Sequence, residues 1–123
     1  VLLAHLVAQV FSMERIPALY EQARQAILRA GVNNVSMCMG DGSVGWREYA
    51  PYDAILVSAG APSVPEPLVS QLADGGTLLV PIGTRETQRL VLVRKKGNEI
   101  QTRELDPVRF VPLVGHHGWN KEP

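Results

Sequence analysis

Apolar positions along the chain change period several times, and each change marks an element. Residues 1–8 are an apolar run with no helix cap before them, and they read as the last turns of a helix. "QVFSM" (9–13) reads as a short strand ending at Glu14. From Ile16 the spacing turns helical: Ile16, Leu19, Tyr20, Ala23, Ala26, Ile27 and Ala30 form one apolar stripe. Pro17 suits a first helical turn, where its missing N–H has no partner to lose. Gly31 follows the last stripe residue and can adopt the left-handed conformation that stops a helix. "VSMCM" (35–39) is a second strand, halted by "GDG".

Residues 54–57 are continuously apolar, which predicts a third strand covered on both faces. Residues 65–72 predict a short helix, "DGG" (74–76) a turn after it, and "TLLVPIG" a fourth buried strand. "RLVLVRKKGNEIQTREL" predicts two strands joined around Gly97 and Asn98, a hairpin. The tail from Asp106 is punctuated by Pro and Gly. This alternation specifies an α/β fold: a doubly wound, mostly parallel sheet with helices on both faces and a late antiparallel hairpin. No repeat, low-complexity stretch or linker divides residues 1–123, so one domain is expected.

Charge narrows the partners. Twelve basic and twelve acidic residues cancel, so neither nucleic acid nor a membrane surface is expected to bind. No stretch approaches the roughly 18 consecutive apolar residues of a membrane span. The first residues resemble the apolar part of a signal peptide, but no charged region precedes them and no small-residue cleavage site follows. They are therefore read as part of the folded protein. Cys38 is the only cysteine, which favours a reducing cytoplasm; its place in an apolar strand reads as inert core.

Parallel α/β sheets bind ligands beyond the carboxyl ends of their strands. Glu14 ends the first strand. Its carboxylate could accept both hydroxyls of a ribose, or it could cap the following helix. After the second strand, Asp41 could accept from an adenine amino group while Gly40 and Gly42 let the backbone approach a flat ring. The same three residues could be an ordinary Asp-Gly turn. "SAGAP" follows the third strand and either leaves room for a ligand or is a plain loop exit. His116 and His117 lack ligand partners at metal spacing and read as loop, and no metal site is expected. Trp46 and Trp119 read as packing residues. No catalytic nucleophile, zinc or phosphate-loop motif is present.

The ordered set "VFSMERIP", "GDGSVGW", "APYDAILVSAGAP", "LADGGTLLVPIG" and "VRFVPLVG" resembles the protein-L-isoaspartate O-methyltransferase family across nearly the whole chain. "GDGSVGW" followed by "APYDAI", and the late "RFVPL", are the specific pieces; the others are shared by many methyltransferases that use S-adenosylmethionine. The resemblance implies a Rossmann-like methyltransferase fold and methylation of the α-carboxyl of isoaspartyl residues in damaged proteins. The resulting ester collapses to a succinimide, so that aspartate can re-form. It implies that Glu14 holds the ribose of S-adenosylmethionine and that Gly40, Asp41 and Gly42 line its adenine. Ser58 and Ala59 would lie near the strand end facing the cofactor. Val111, Pro112 and Leu113 would form part of the groove for the damaged peptide, largely through backbone contacts.

No catalytic side chain is needed, because the accepting carboxylate is already ionised near neutral pH. Alignment and exclusion of water can carry the rate.

The family's glycine-rich cofactor turn and first strand do not occur in the sequence, so the chain is expected to be the C-terminal part of one methyltransferase domain. That first strand would lie centrally in the sheet, and the intact enzyme would be a monomer. Two other readings fit part of the pattern. A nicotinamide-dependent Rossmann oxidoreductase fragment would use Glu14 equally well but gives "GDGSVGW" and "RFVPLVG" no role. A truncated, non-catalytic interaction module would expose apolar surface and self-associate.

Overall fold

The computed structural model describes residues 1–120. They divide into two compact units, Val1–Gly42 and Ser43–Pro123.

The first unit is a strand, a helix and a second strand: β1 (Val10–Glu14), α1 (Pro17–Ala30) and β2 (Val35–Met39). The strands pair in parallel from Val10 opposite Val35 to Glu14 opposite Met39, so both finish at the same level. Pro17 opens α1, and Gly31 closes it with φ 71° while donating its N–H to the Leu28 carbonyl at 3.2 Å. The stop and start residues act as their chemistry requires. Of the apolar stripe, Tyr20, Ala23, Ala26 and Ile27 are half-buried, while Ile16, Leu19 and Ala30 are exposed.

Residues 1–8 correct the sequence reading. They form a single 3₁₀ turn, Leu3–His5, instead of the end of an α-helix. Helix nucleation is costly, and Leu2, Leu6 and Val7 are exposed, so little packing offsets it. Asn34 holds the turn instead, donating through Nδ2 to the carbonyls of Ala4 at 2.7 Å and Val7 at 3.1 Å.

The second unit carries β3 (Tyr52–Leu56), α2 (Glu66–Ser70), β4 (Leu72–Gly83), β5 (Gln88–Lys96) and β6 (Glu99–Val108). Two 3₁₀ turns, Gly42–Val44 and Arg47–Tyr49, precede β3. The four strands lie in the order β3-β4-β5-β6, with β3 parallel to β4 and the other pairs antiparallel. Alternate residues of β4 and β5 face one core. Leu78 is opposite Val93 and Val80 opposite Val91, and Leu68 and Leu72 close over them. Burying side chains of this size contributes about 1.5–3 kcal/mol each. The β5–β6 turn is the expected two-residue one, with positive φ at Gly97 alone, as a type II′ turn requires.

Two further expectations change here. "DGG" is not a turn ahead of β4 but a bulge within it. The β3 register jumps from Leu72 to Thr77 over two residues, and Gly75 has φ 79°. A Cβ on Gly76 would stand 2.8 Å from the Ala73 carbonyl oxygen, so the bulge closes too tightly for a side chain. β3 itself is not covered on both faces: Ala54 and Leu56 are exposed. It lies at the end of its sheet with β4 on one side only, so one backbone edge has no partner strand in that sheet. The α/β class and the C-terminal hairpin are as read, with the strands shared between a two-stranded and a four-stranded sheet. Among the described residues, no helix is long and apolar enough to cross a membrane.

Candidate functional site

In the first unit the candidate residues cluster at the ends of β1 and β2. Glu14 is the last residue of β1, and its carbonyl accepts the N–H of Gly40 at 3.0 Å. The strand pairing thus sets the Glu14 backbone beside the start of the 40–42 loop. The Glu14 carboxylate accepts the Ile16 N–H through Oε1 at 3.1 Å, next to the start of α1. The carboxylate thus makes a local bond to the residue that precedes α1, without capping the helix itself. That bond does not exhaust the group, because a carboxylate offers about four lone-pair sites.

A flat ring needs open space beside the 40–42 loop. A Cβ on Gly42 would meet nothing within 4 Å, and one on Gly40 would meet only Met13 Cε at 3.8 Å. Asp41 is half-buried between them. An acceptor-bearing strand end next to an uncrowded glycine loop fits an adenosine.

In the second unit, Ser58 is exposed and Ala59 half-buried just beyond β3. The next two residues are not a free loop exit. Gly60 donates to the Val111 carbonyl and accepts from the Leu113 N–H, each at 2.7 Å. Ala61 donates to the Pro81 carbonyl at 2.9 Å and accepts from the Gly83 N–H at 3.0 Å. This short connector therefore joins the end of β4 to the segment holding Val111, Pro112 and Leu113. It is Gly60, not Ser58 or Ala59, that the structure bonds to that segment.

Its backbone is largely engaged already. The Leu113 carbonyl also accepts the Trp119 N–H at 2.7 Å, and Pro112 has no N–H to offer. The 70 % exposed side chain of Val111 is what the segment turns outward.

Three buried polar side chains escaped the sequence reading. Gln71 accepts the Trp46 N–H at 3.0 Å and donates to the Val44 carbonyl at 2.9 Å, stapling the loop after Ser43. Ser43 is fully buried, and its Oγ accepts the backbone N–H of His117 at 3.0 Å. Gln88 accepts the Phe110 N–H at 2.8 Å and donates to the Thr84 carbonyl at 2.8 Å. The only signal for either amide was a glutamine beside an apolar run, which is faint.

Other candidates resolve into packing. Trp46 meets Tyr49 edge to face at 5.0 Å, and the Tyr52 hydroxyl donates to the Trp46 carbonyl. Burial pushes the Tyr52 hydroxyl above its usual range, and the nearby Tyr49 adds to the effect. The Arg85 guanidinium lies 4.9 Å over the Trp119 ring, a cation–π contact. His116 and His117 meet edge to face at 4.7 Å. Among the described residues, no three His, Cys, Asp or Glu side chains group to hold a metal. Cys38 is half-buried, less enclosed than its apolar strand suggested.

Known proteins are similar to this chain in sequence and in fold. The model of the family Protein-L-isoaspartate(D-aspartate) O-methyltransferase matches residues 1–118. A Protein-L-isoaspartate O-methyltransferase of Methanospirillum hungatei is 47% identical over 115 residues, covering 94% of this chain and 53% of that protein. One from Pyrococcus abyssi is 51% identical over 114 residues, covering 91% of this chain and 53% of that protein. The chain thus spans about half the length of the curated relatives it matches.

Among solved structures, a protein-L-isoaspartate O-methyltransferase superposes with a TM-score of 0.81 at 34% identity, covering 89% of this chain and 35% of that one. A Plasmodium falciparum chain assigned to the same enzyme class, in complex with S-adenosyl-L-homocysteine, gives 0.75 at 31% identity, covering 86% of this chain and 52% of that one.

Proposed function

This chain belongs to the protein-L-isoaspartate O-methyltransferase family, and we propose that it serves methyl transfer from S-adenosylmethionine to the α-carboxyl of isoaspartyl residues in damaged proteins. Its 123 residues would supply the C-terminal part of a single methyltransferase domain. Family membership leaves the nicotinamide-dependent reading without support.

The observation that carries the proposal is the Glu14–Gly40 hydrogen bond. It sets the strand end that carries the Glu14 carboxylate beside an uncrowded glycine loop, the chemistry an adenosine needs. Glu14 binds the ribose hydroxyls, while Gly40, Asp41 and Gly42 take the adenine. Ser58 and Ala59 contribute small side chains near the cofactor. Val111, Pro112 and Leu113 hold the damaged peptide. S-adenosylmethionine, when bound, supplies an electrophilic methyl group on a sulfonium. The substrate carboxylate is ionised at neutral pH, so the protein needs no general base. Its task is to align the two and keep water out. The methyl ester then loses methanol when the backbone amide nitrogen of the next residue closes on the ester carbonyl. The ring formed is a succinimide, whose hydrolysis can return an aspartyl link.

The protein acts in the cytoplasm as a monomer and reads a local lesion, not a particular partner. The test is methyl transfer by the full-length natural protein to a peptide carrying isoaspartate and to its aspartyl twin. Base-labile methyl incorporation into the first alone is expected. Equal labelling of both, or of neither, would overturn the proposal.

A further inference from the structure

Gln88 stands apart among the buried polar residues because each end of its amide is committed to a different part of the second unit. It is the first residue of β5 and only 3% exposed. Its Oε1 accepts the Phe110 N–H at 2.8 Å, and its Nε2 donates to the Thr84 carbonyl at 2.8 Å. Phe110 leads directly into Val111, Pro112 and Leu113, the residues assigned above to the damaged peptide. The far side of that segment is held by Gly60, through its paired 2.7 Å bonds to Val111 and Leu113.

The two supports depend on one another. A Cβ on Gly60 would stand 2.7 Å from Gln88 Cδ, 2.8 Å from Cγ and 3.0 Å from Nε2. A flexible surface side chain could swing away from such a contact. Gln88 cannot do so without breaking bonds at both ends, and its burial leaves it no water to replace them. The glycine in "SAGAP" is therefore the room that the Gln88 amide occupies, and both are needed to fix the same stretch of chain.

Only an amide meets the requirement. Glutamate keeps an acceptor for Phe110 but brings a negative charge against the Thr84 carbonyl oxygen. Methionine fills the volume but offers neither a proper donor nor a strong acceptor. We infer that Gln88 is a positioning residue for the peptide-binding segment. With Gly60, it sets the course of Val111, Pro112 and Leu113 and so governs how tightly the damaged peptide is held, without touching it. The inference rests on the methyltransferase function proposed above and names a determinant of its substrate side.

The test compares full-length wild type, Gln88→Met, Gln88→Glu and Gly60→Ala. Steady-state kinetics are measured for an isoaspartyl peptide and for S-adenosylmethionine, and amide hydrogen exchange at Phe110 is followed in each protein. We expect the KM for the peptide to rise roughly ten-fold in Gln88→Met, with the KM for S-adenosylmethionine within about two-fold of wild type. Phe110 should exchange faster in Gln88→Met and Gly60→Ala. A purely structural role would lower activity through loss of folded protein and leave both KM values alike. Gln88→Met checks this, because it keeps the core filled. An unchanged peptide KM, or a parallel rise in both KM values, overturns the positioning role while the methyltransferase reading stands. A wild type that methylates no isoaspartyl peptide overturns that reading and this inference together, whatever the exchange data show.

Discussion

The N–H of Gly40 donates to the carbonyl of Glu14 at 3.0 Å, so the last residue of one strand is bonded to the first residue beyond its neighbour. The Glu14 side chain accepts the Ile16 N–H and is proposed to hold a ribose, and substitution can separate the two. Glu14→Gln retains an oxygen for the Ile16 N–H but removes the charge. It should weaken S-adenosylhomocysteine binding by the full-length protein about ten-fold, with little change in Tm. Glu14→Ala should weaken binding and also lower stability by about 1 kcal/mol, the net contribution of one hydrogen bond. Titration calorimetry and thermal melting measure the two effects. Unimpaired binding in Glu14→Gln would remove Glu14 from the cofactor site.

Gly45 and Gln71 form a second dependent pair. Gly45 has φ 70°, and a Cβ there would run into the Gln71 amide that holds Val44 and Trp46. Gly45→Ala should therefore cost about 2–4 kcal/mol, combining left-handed backbone strain with the loss of two buried hydrogen bonds. The urea midpoint should fall accordingly. A wild-type midpoint would show that the staple adds nothing to stability.

Tyr52 gives the second unit an alkaline limit. Burial raises its hydroxyl above the ordinary value, so the folded state holds the proton more tightly than the unfolded state does. Stability from this group is fully present below the unfolded value, about pH 10, and is lost as pH rises through the folded value. Tyr52→Phe should lower Tm at neutral pH by removing the bond to the Trp46 carbonyl. It should also flatten the decline of Tm above pH 10. An identical alkaline decline in both proteins would assign it to other groups.

Exposed apolar side chains predict the behaviour of these 123 residues when expressed by themselves. Leu56 is 57% exposed on the end strand of the four-stranded sheet, and Leu2, Leu6 and Leu28 are more exposed still. Surface of this kind, beside a strand edge with unpaired backbone groups, favours association. Light scattering behind a sizing column should show dimers or larger species that shift with concentration. A monomer at every concentration tested would argue that the surface is less sticky than its composition suggests.

Much of this architecture is legible in the sequence. Pro17 and Gly31 bracket α1 because their backbone preferences act locally, and helical spacing between them needs no distant partner. The β5–β6 hairpin was equally clear, since Gly97 sets its own turn. "TLLVPIG" was legible as a buried strand, and Leu78 and Val80 do lie in the core. The placement of Glu14 at a strand end followed from the same local rules.

What escaped depended on residues far apart in the chain. The apolar run at 1–8 specifies no particular turn, and the bonds from Asn34 supply one. Residues 54–57 carry the signature of a covered strand, yet burial depends on which strands lie alongside. Gln88 looked like any polar residue opening a β-run, and Gly60 like any small residue in a loop. Their meaning appears only when Phe110, 22 positions beyond Gln88, folds back to its amide, and Val111 and Leu113 close on Gly60. Periodicity and backbone preference are properties of neighbouring residues, so the sequence by itself determined the elements, their class and their order. Burial, the bulge in β4 and the amide staples arise from long-range contact, and only the tertiary structure could decide them.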